Sequence, residues 1–332
     1  MNCKVSIVIA VLNGSAFLKK SLPAVIANLD ADSEIILVDD GSSDDSAALG
    51  KQFGAEVITL ENPTGAANAR NIGVKQARGE IILFIDADVV IKTNTIRNIR
   101  ELFAANPGIC ALFGSYDDAP DEPGFFSQYR NLMHHFFHQT GNSEAETFWS
   151  GFGAIKRDVF LKLGGFDAEK FEIPSVEDIE LGYRLKETGC RILLVPELQA
   201  KHLKRWTFYS ILRTDFWQRA VPWVELLLLN PHIKPDLNAK VSQKASAVLA
   251  GIFILSLIVV FWNILFLIAA LVSLTGLLFI NREFYAFFLR RKGLFFTIRV
   301  FPMHLLYFCY SSAAFIYSWI NIKLLGRSII VR

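Results

Sequence analysis

Gly79-Glu80-Ile81-Ile82-Leu83-Phe84-Ile85-Asp86-Ala87-Asp88-Val89-Val90 contains an unbroken apolar run, Ile81 to Ile85, of strand length and rich in branched residues. Such a run suits a strand covered on both faces, as in a parallel sheet. It stops at two acids, Asp86 and Asp88, with no Lys or Arg between them. In open α/β sheets the carboxyl edge of the strands is where ligands sit. Two carboxylates there repel each other unless a cation joins them. A hard divalent ion shared with the phosphates of a substrate resolves that conflict. For an isolated Asp-x-Asp, a solvated turn after a core strand is the plainer alternative.

The residues on either side extend the same pattern. Val5–Val11 reads as a first buried strand closed by Asn13-Gly14, and Ser15–Asn28 as the helix after it. Glu34–Asp39 is a second strand, again ending in acids and a turn glycine, Asp39-Asp40-Gly41-Ser42-Ser43-Asp44. Ser42 or Ser43 is placed to cap a helix running to about Phe53. Val57–Leu60 is a short third strand, and Ala66–Gln76 a helix of small residues carrying Arg70 and Asn71. Strands alternating with helices over short connections predict a parallel sheet with helices on both faces. No Gly-x-Gly-x-x-Gly follows the first strand, and no Gly-Lys-Ser/Thr phosphate loop occurs, so the dinucleotide and P-loop signatures are absent.

Composition bounds the rest. Hydrophobic residues make up 52% of the 332, unevenly spread: the chain reads as soluble up to about Leu203 and as membrane-like after Lys244. A net charge of +2 argues neither for nor against nucleic acid, and no basic stretch interleaved with aromatics suggests an RNA or DNA surface, so no nucleic-acid partner is expected. Cys3, Cys110, Cys190 and Cys309 are scattered, so neither a metal knuckle nor a disulfide framework is expected, and a reducing compartment fits. The apolar run Val5 to Leu12 lacks a basic n-region and a cleavage site, which makes it a strand and not a signal peptide.

Val5–Asn13, Asp39-Asp40-Gly41-Ser42, Ala69-Arg70-Asn71-x-Gly73 and Phe84-Ile85-Asp86-Ala87-Asp88, in that order, resemble the family 2 glycosyltransferases. The resemblance runs to about Trp223. It implies the nucleotide-sugar-binding fold termed GT-A, Rossmann-like with a mainly parallel central sheet, and inversion at the anomeric carbon. It further implies a donor site of Ala10, Asn13, Asp39, Asp40, Arg70, Asp86, Ala87 and Asp88, with Asp40 on the edge of the donor base. Ala10 departs from the family, which often has Pro or Thr there. Arg70 is either a diphosphate or base contact or a solvent-facing arginine of its helix. Asp88, with Asp86 and His202, would hold Mg²⁺ or Mn²⁺, and the metal would neutralise the leaving diphosphate.

The second half carries the acceptor side of that resemblance. Ser150-Gly151-Phe152-Gly153-Ala154 is glycine-rich, and Gly164-Gly165-Phe166-Asp167 resembles the family's acceptor-side turn, which assigns Gly151, Gly153, Gly165 and Phe166 to the acceptor. Glu177-Asp178 opens a helix, Ile179–Thr188, closed by Gly189. Acids in a first turn commonly do no more than complement the helix dipole. By resemblance, however, Asp178 is the general base and Glu177 its support. A positioned carboxylate that takes a hydroxyl proton contributes roughly 10²–10⁴-fold. His134, His135 and His138 lie near one helical face, and an exposed or acceptor-lining helix is the better reading of them than a metal cluster.

From Lys204 to Leu229 aromatic and basic residues recur at helical spacing, as in a helix lying among lipid headgroups. Gln218-Arg219-Ala220-Val221-Pro222-Trp223 is reminiscent of the family's Gln-x-x-Arg-Trp motif, which places Arg219 and Trp223 on the acceptor side, but Arg does not directly precede Trp. That departure speaks against a processive polysaccharide synthase. The uncharged stretch Ala245–Ile280 would form a helix of about 54 Å, too long for one span of a ~30 Å core. Two spans turning near Trp262-Asn263 fit better, with a third over Val300–Ile320. The expected layout is 1–203 catalytic, 204–244 interfacial and 245–332 transmembrane, with spans at 245–262, 264–280 and 300–320. The positive-inside count then favours three spans. The expectation is a membrane-anchored, metal-dependent inverting transferase on the cytoplasmic face. It would move sugar from a UDP- or GDP-sugar to a hydroxyl of a lipid or lipid-linked acceptor. A polyprenyl-phosphate sugar synthase and a non-catalytic membrane scaffold are the alternatives.

Overall fold

The computed structural model describes residues 3–231 and 241–330. The chain divides into two compact units, Met1–Thr207 and Phe208–Ile329.

The first unit opens with β1 (Val5–Val11), α1 (Ser15–Ile26), β2 (Ser33–Asp39), α2 (Ser46–Gln52), β3 (Glu56–Thr59), α3 (Ala66–Gln76) and β4 (Ile81–Ile85). β1 runs parallel to both β2 and β4, and β3 runs parallel to β2. Every residue of β4 is buried, as its unbroken apolar run requires when helices cover both faces. The small residues of α3 explain its close approach to the sheet: a Cβ added at Gly73 would lie 2.6 Å from Val8 Cγ1. Ser6, the polar residue inside β1, is satisfied by donating to Glu34 Oε1 at 2.6 Å.

β5 (Val89–Ile91), α4 (Thr95–Ala105), β6 (Ile109–Tyr116), α5 (Phe125–Gln139), β7 (Glu144–Ala145), β8 (Phe152–Lys156), α6 (Arg157–Lys162), α7 (Glu177–Glu187) and β9 (Arg191–His202) follow. The sheet order is β3-β2-β1-β4-β8-β6-β9-β5, with β7 on β9. The β3-β2-β1-β4 half is wholly parallel. Beyond it, β8 lies antiparallel between β4 and β6, and β9 parallel to β6. The result is a mixed α/β sheet in which β8 brings the glycine-rich stretch Gly151–Gly153 alongside the end of β4.

β9 continues to His202, crossing a register shift against β6 on the way. Two expectations are corrected here. Ser42 and Ser43 do not cap α2, which starts at Ser46 after Asp45; their hydroxyls engage Asn13 instead. Cys110 and Cys190, far apart in sequence, form a disulfide with Cα atoms 5.6 Å apart, because the parallel β6–β9 pairing sets their strands side by side. Scattered spacing therefore did not mean unpaired thiols, and it gives no ground for a reducing compartment.

The second unit is helical: α8 (Phe208–Arg213), a π-helix (Thr214–Ala220), α9 (Val221–Leu229), α10 (Val241–Val259), α11 (Phe266–Ile280) and α12 (Arg282–Lys323). Part of the expected interfacial stretch, residues 232–240, lies outside the described residues. α10 and α12 are long and apolar enough to cross a membrane. The 15 residues of α11 make a shorter apolar helix, about 22 Å long. α10 and α11 part around Trp262-Asn263, where a turn was expected. α12 breaks at Gly293, whose φ of 78° is open to glycine and strained for other residues. Val248, Leu255, Trp262, Ile264, Val272, Phe279 and Ile316 all point large apolar surface outward.

Candidate active site

The site is built at the carboxyl ends of β1, β2 and β4, from turns that contain their own locks. After β1, Asn13 adopts a left-handed conformation (φ 52°), and its Oδ1 accepts from Ser43 N at 2.9 Å. Asn13 N in turn donates to Ser42 Oγ at 2.8 Å. Gly41 (φ +78°) allows the turn after β2 to pass close to Asn62 and Pro63, where a Cβ would lie 3.0 Å from their backbone. Asp39 Oδ1 accepts from Ser42 N at 3.2 Å. Asp40 Oδ1 accepts from Thr64 N at 2.7 Å and from Thr64 Oγ1, and its Oδ2 accepts from Gly65 N at 2.9 Å. Both acids are buried, and these bonds run to loop groups. Ala10, at the end of β1, is half-buried beside Val38.

At the end of β4, Asp86 N donates to Gly151 O at 3.1 Å, and Ala87 O accepts from Ser21 Oγ at 2.8 Å. Arg70 is not a solvent-facing arginine: it is 7% exposed, reaching up from α3. Its Nη2 donates to Asp86 Oδ1 at 2.7 Å and its Nη1 to Glu177 Oε1 at 3.0 Å. Phe166, assigned to the acceptor side from sequence, lies in the core instead. It packs against Phe84 at 5.3 Å between centroids, with the Arg70 guanidinium 5.8 Å from its ring centre. Gly165 (φ +75°) and Phe166 are clamped by Asn71, which accepts from Phe166 N at 2.9 Å and donates to Phe166 O at 2.7 Å.

α7 begins at Glu177, so its first turn brings Asp178 beside β8. Asp178 Oδ2 accepts from Ser150 N at 2.9 Å and from Ser150 Oγ at 3.2 Å. Burial, reinforced by the neighbouring Glu177 carboxylate, pushes the Asp178 carboxyl up to about 6, against the pull of Ser150 and Arg70. A carboxylate poised there can take a proton near neutral pH. Gly151 lets Trp149 and Asp86 close on its backbone: a Cβ on it would lie 2.7 Å from Trp149 Nε1 and 2.9 Å from Asp86 Oδ2. Gly153 packs under Phe148, where a Cβ would meet the ring at 2.8 Å.

Asp88 faces His202, with Oδ2 and Nε2 3.3 Å apart. Burial disfavours a charged Asp88, but its contacts with His202 outweigh that and hold the carboxyl below the usual range. His202 Nδ1 lies 2.6 Å from Asn131 Oδ1, and Tyr116 stacks on the imidazole at 4.3 Å with an 8° interplanar angle. Asp88 and His202 supply an oxygen and a nitrogen to one point. Two protein donors completed by phosphate oxygens is how Mg²⁺-class ions are commonly held at phosphate sites. The pair fits a divalent cation. Asp86 has Oδ1 turned to Arg70, and no group of three or more His, Cys, Asp or Glu occurs among the described residues.

His134, His135 and His138 form no metal-binding group among the described residues and are part of the wall of α5 against β6. The Nδ1 atoms of His135 and His138 donate to the carbonyls of Tyr116 and Gly114, at 2.7 and 2.9 Å. His134 packs between the Tyr116 and Trp149 rings, at 4.5 and 4.7 Å. Arg219 and Trp223 belong to the second unit, on the π-helix and α9. Sequence reasoning missed Asn131, Tyr116, Trp149 and the bonding role of Ser150. None of them sits in a spacing pattern, and only the β4–β8–β6–β9 register brings them in.

Residues 6–164 match the family model described as Glycosyl transferase family 2. A stretch of 130 residues, 38% of this chain, is 30% identical to "Glycosyltransferase GlyG" of Streptococcus pneumoniae, covering 43% of it. Another of 115 residues, 33% of this chain, is 34% identical to the poly-beta-1,6-N-acetyl-D-glucosamine synthase of Staphylococcus epidermidis, covering 28% of it. The chain thus spans less than half the length of these relatives. Among solved structures, the mannosyltransferase PcManGT of Pyrobaculum calidifontis, in complex with GDP-Man and Mn²⁺, superposes with a TM-score of 0.60 at 16% identity. That match covers 98% of this chain and 89% of the other, and it shows the shared fold.

Proposed function

We propose that this glycosyltransferase, whose residues 6–164 are its family 2 domain, moves a sugar from a nucleotide-sugar to a hydroxyl of a lipid or lipid-linked glycan, with inversion at the anomeric carbon. The observation that carries the reading is the chain of contacts Asp86–Arg70–Glu177, which ties the turn after β4 to the helix start that presents Asp178. Asp178 is the base. Its carboxylate, steadied by Ser150, takes the proton of the acceptor hydroxyl as that oxygen attacks the anomeric carbon, and the glycosidic bond to the nucleoside diphosphate breaks. Asp88 and His202 would hold a divalent cation, which supplies charge neutralisation to the departing diphosphate. The Mn²⁺ and GDP-Man bound by PcManGT are consistent with that assignment.

The donor base and ribose belong at the Asn13, Asp39–Asp40 and Arg70 side, with Asp86 and Ala87 below the diphosphate. Gly151, Gly153 and Gly165 shape the acceptor side of the same turn system. The exposed apolar surface of α10, α11 and α12 supports membrane anchoring, and with α10 and α11 both crossing, Arg282, Arg290, Arg291, Lys292 and Arg299 lie on the side of the active site, which supports a cytoplasmic one. A membrane-held enzyme meets acceptors that share its bilayer, which favours a lipid-borne one.

The test is nucleoside diphosphate release from a panel of UDP- and GDP-sugars, with and without membrane lipid extract, in wild type and Asp178→Asn. Release stimulated by lipid and lowered roughly 10²–10⁴-fold in the variant supports a hydroxyl acceptor deprotonated by Asp178. Lipid-stimulated release that survives the substitution points to a phosphate nucleophile, which needs little base. No release from any donor with any extract would sink the catalytic reading in favour of a scaffold.

A further inference from the structure

We infer that Asn131 is a positioning residue that fixes the imidazole of His202 in the Nδ1–H form, leaving the Nε2 lone pair to share a divalent cation with Asp88. The inference rests on the metal reading above and adds a residue of α5 that no motif marks.

The geometry argues it in three steps. First, Asn131 Oδ1 lies 2.6 Å from His202 Nδ1, and an amide oxygen can only accept, so the proton sits on Nδ1. Neutral imidazole carries one proton, which leaves Nε2 as an acceptor. Second, Nε2 faces Asp88 Oδ2 at 3.3 Å, and an ionised carboxylate is also acceptor-only. A cation must therefore lie between them: a proton on Nε2, which makes the ion pair with Asp88, or, once that proton is gone, a metal ion that takes both lone pairs. Third, neither residue is placed by accident of exposure. Asn131 is 2% and His202 5% exposed, and Tyr116 covers the imidazole face, so the ring has little freedom to turn away. Asn131 Nδ2 has no partner within the described residues. Burying that unsatisfied donor is costly, so the oxygen's service to His202 is what gives the side chain a use at this position. A hydrogen-bond acceptor behind a ligating histidine typically raises its basicity and sets its orientation.

The experiment uses the full chain in nanodiscs and reads two quantities independent of turnover. One is Mn²⁺ affinity, from the electron paramagnetic resonance signal of free Mn²⁺. The other is the tautomer of His202 in metal-free protein, from ¹⁵N shifts with His202→Gln as the assignment control. The wild type is expected to show Nδ1–H. Asn131→Leu should weaken Mn²⁺ binding about 10–100-fold and lose that tautomer preference, while Asn131→Asp, which keeps an acceptor, should restore both. A wild-type spectrum showing Nε2–H overturns the inference even if the leucine variant does not fold, since the amide would then be donating to the ring. So does an unchanged Mn²⁺ affinity in a folded Asn131→Leu. If Asp88→Ala binds Mn²⁺ as tightly as wild type, the metal reading fails by itself, and the tautomer spectra still decide whether Asn131 orients the ring.

Discussion

The turns after β2 and β4 look alike in sequence, each putting paired acids at a strand's carboxyl end, yet they spend those acids differently. Asp39 and Asp40 accept from the N–H groups of Ser42, Thr64 and Gly65 and from the Thr64 hydroxyl, all neutral donors in nearby loops. Asp86 and Asp88 face a guanidinium and an imidazole delivered from α3 and β9. The first turn is a lock that shapes a pocket edge. The second is electrically loaded, and its acids are held ready for a cation or a charged substrate.

Removing Arg70 should test the contrast hardest. Arg70→Met leaves Glu177, 4% exposed, and Asp86 facing each other without a cation. Breaking a buried pair from one side typically costs about 3–5 kcal/mol, and the partial exposure of Asp86 puts this case at the low end. Urea unfolding followed by tryptophan fluorescence checks it, with Arg70→Lys expected to fall between. A methionine variant as stable as wild type would mean that the loaded turn needs no counter-charge.

The corresponding cut in the locking turn is Asp40→Ala. Its loss leaves Thr64 N–H and Gly65 N–H without their acceptor, at about 1–3 kcal/mol, and frees the 62–65 loop. Hydrogen exchange at Thr64 and Gly65 should rise in the variant. Unchanged protection there would show that the lock lies elsewhere and that Asp40 serves the donor alone.

The acids of both turns stood out in the sequence, but their partners did not: Asp40 was expected on the donor base and Ser42 or Ser43 as a helix cap, where they bond instead to Thr64, Gly65 and Asn13. β1, α3 and β4 were bounded from apolar runs and helical spacing alone, because a parallel half-sheet with short connections writes its periodicity locally. Asp86 and Asp88 stood out by position, Asp178 only through the family resemblance of the Glu177-Asp178 pair. What the sequence could not carry was partnership across register. His202 reaches Asp88 because β9 runs as far as His202 and pairs there with Val89 of β5, and Asn131 and Tyr116 reach His202 because α5 and β6 pack beside it. Cys110 and Cys190 met for the same reason. Each of these pairs depends on the order β4-β8-β6-β9-β5, which no local pattern encodes.

The pH profile separates the proposed base, Asp178, from both turns. Asp178 has a carboxyl raised to about 6, so the active, ionised form is lost as pH falls. The value of kcat/KM should drop about tenfold for each pH unit below 6. The stability effect has the opposite sign. A raised folded-state pKa means the fold favours the protonated form, a contribution present below the unfolded value of about 4 and lost as pH rises through about 6. At pH 8 Asp178→Asn should therefore be at least as stable as wild type while losing its transfer activity. A variant less stable than wild type at pH 8 would show that the ionised carboxylate supports the fold and is not a strained base.

Ser150→Ala is the finest cut, because it removes one of the two contacts that reach Asp178 from Ser150. The backbone N–H at 2.9 Å stays, and only the longer hydroxyl contact at 3.2 Å goes. A net hydrogen bond of that kind is worth about 0.5–1.5 kcal/mol, so kcat should fall by no more than about tenfold. Losing a donor to the carboxylate also weakens its charged form, so the acidic limb of the pH profile should move upward. A large fall in kcat with no movement of that limb would mean the Ser150 hydroxyl contacts the substrate directly. The base would then owe its position to the backbone of β8 and the start of α7, which places the precision of the site in the sheet register and not in its side chains.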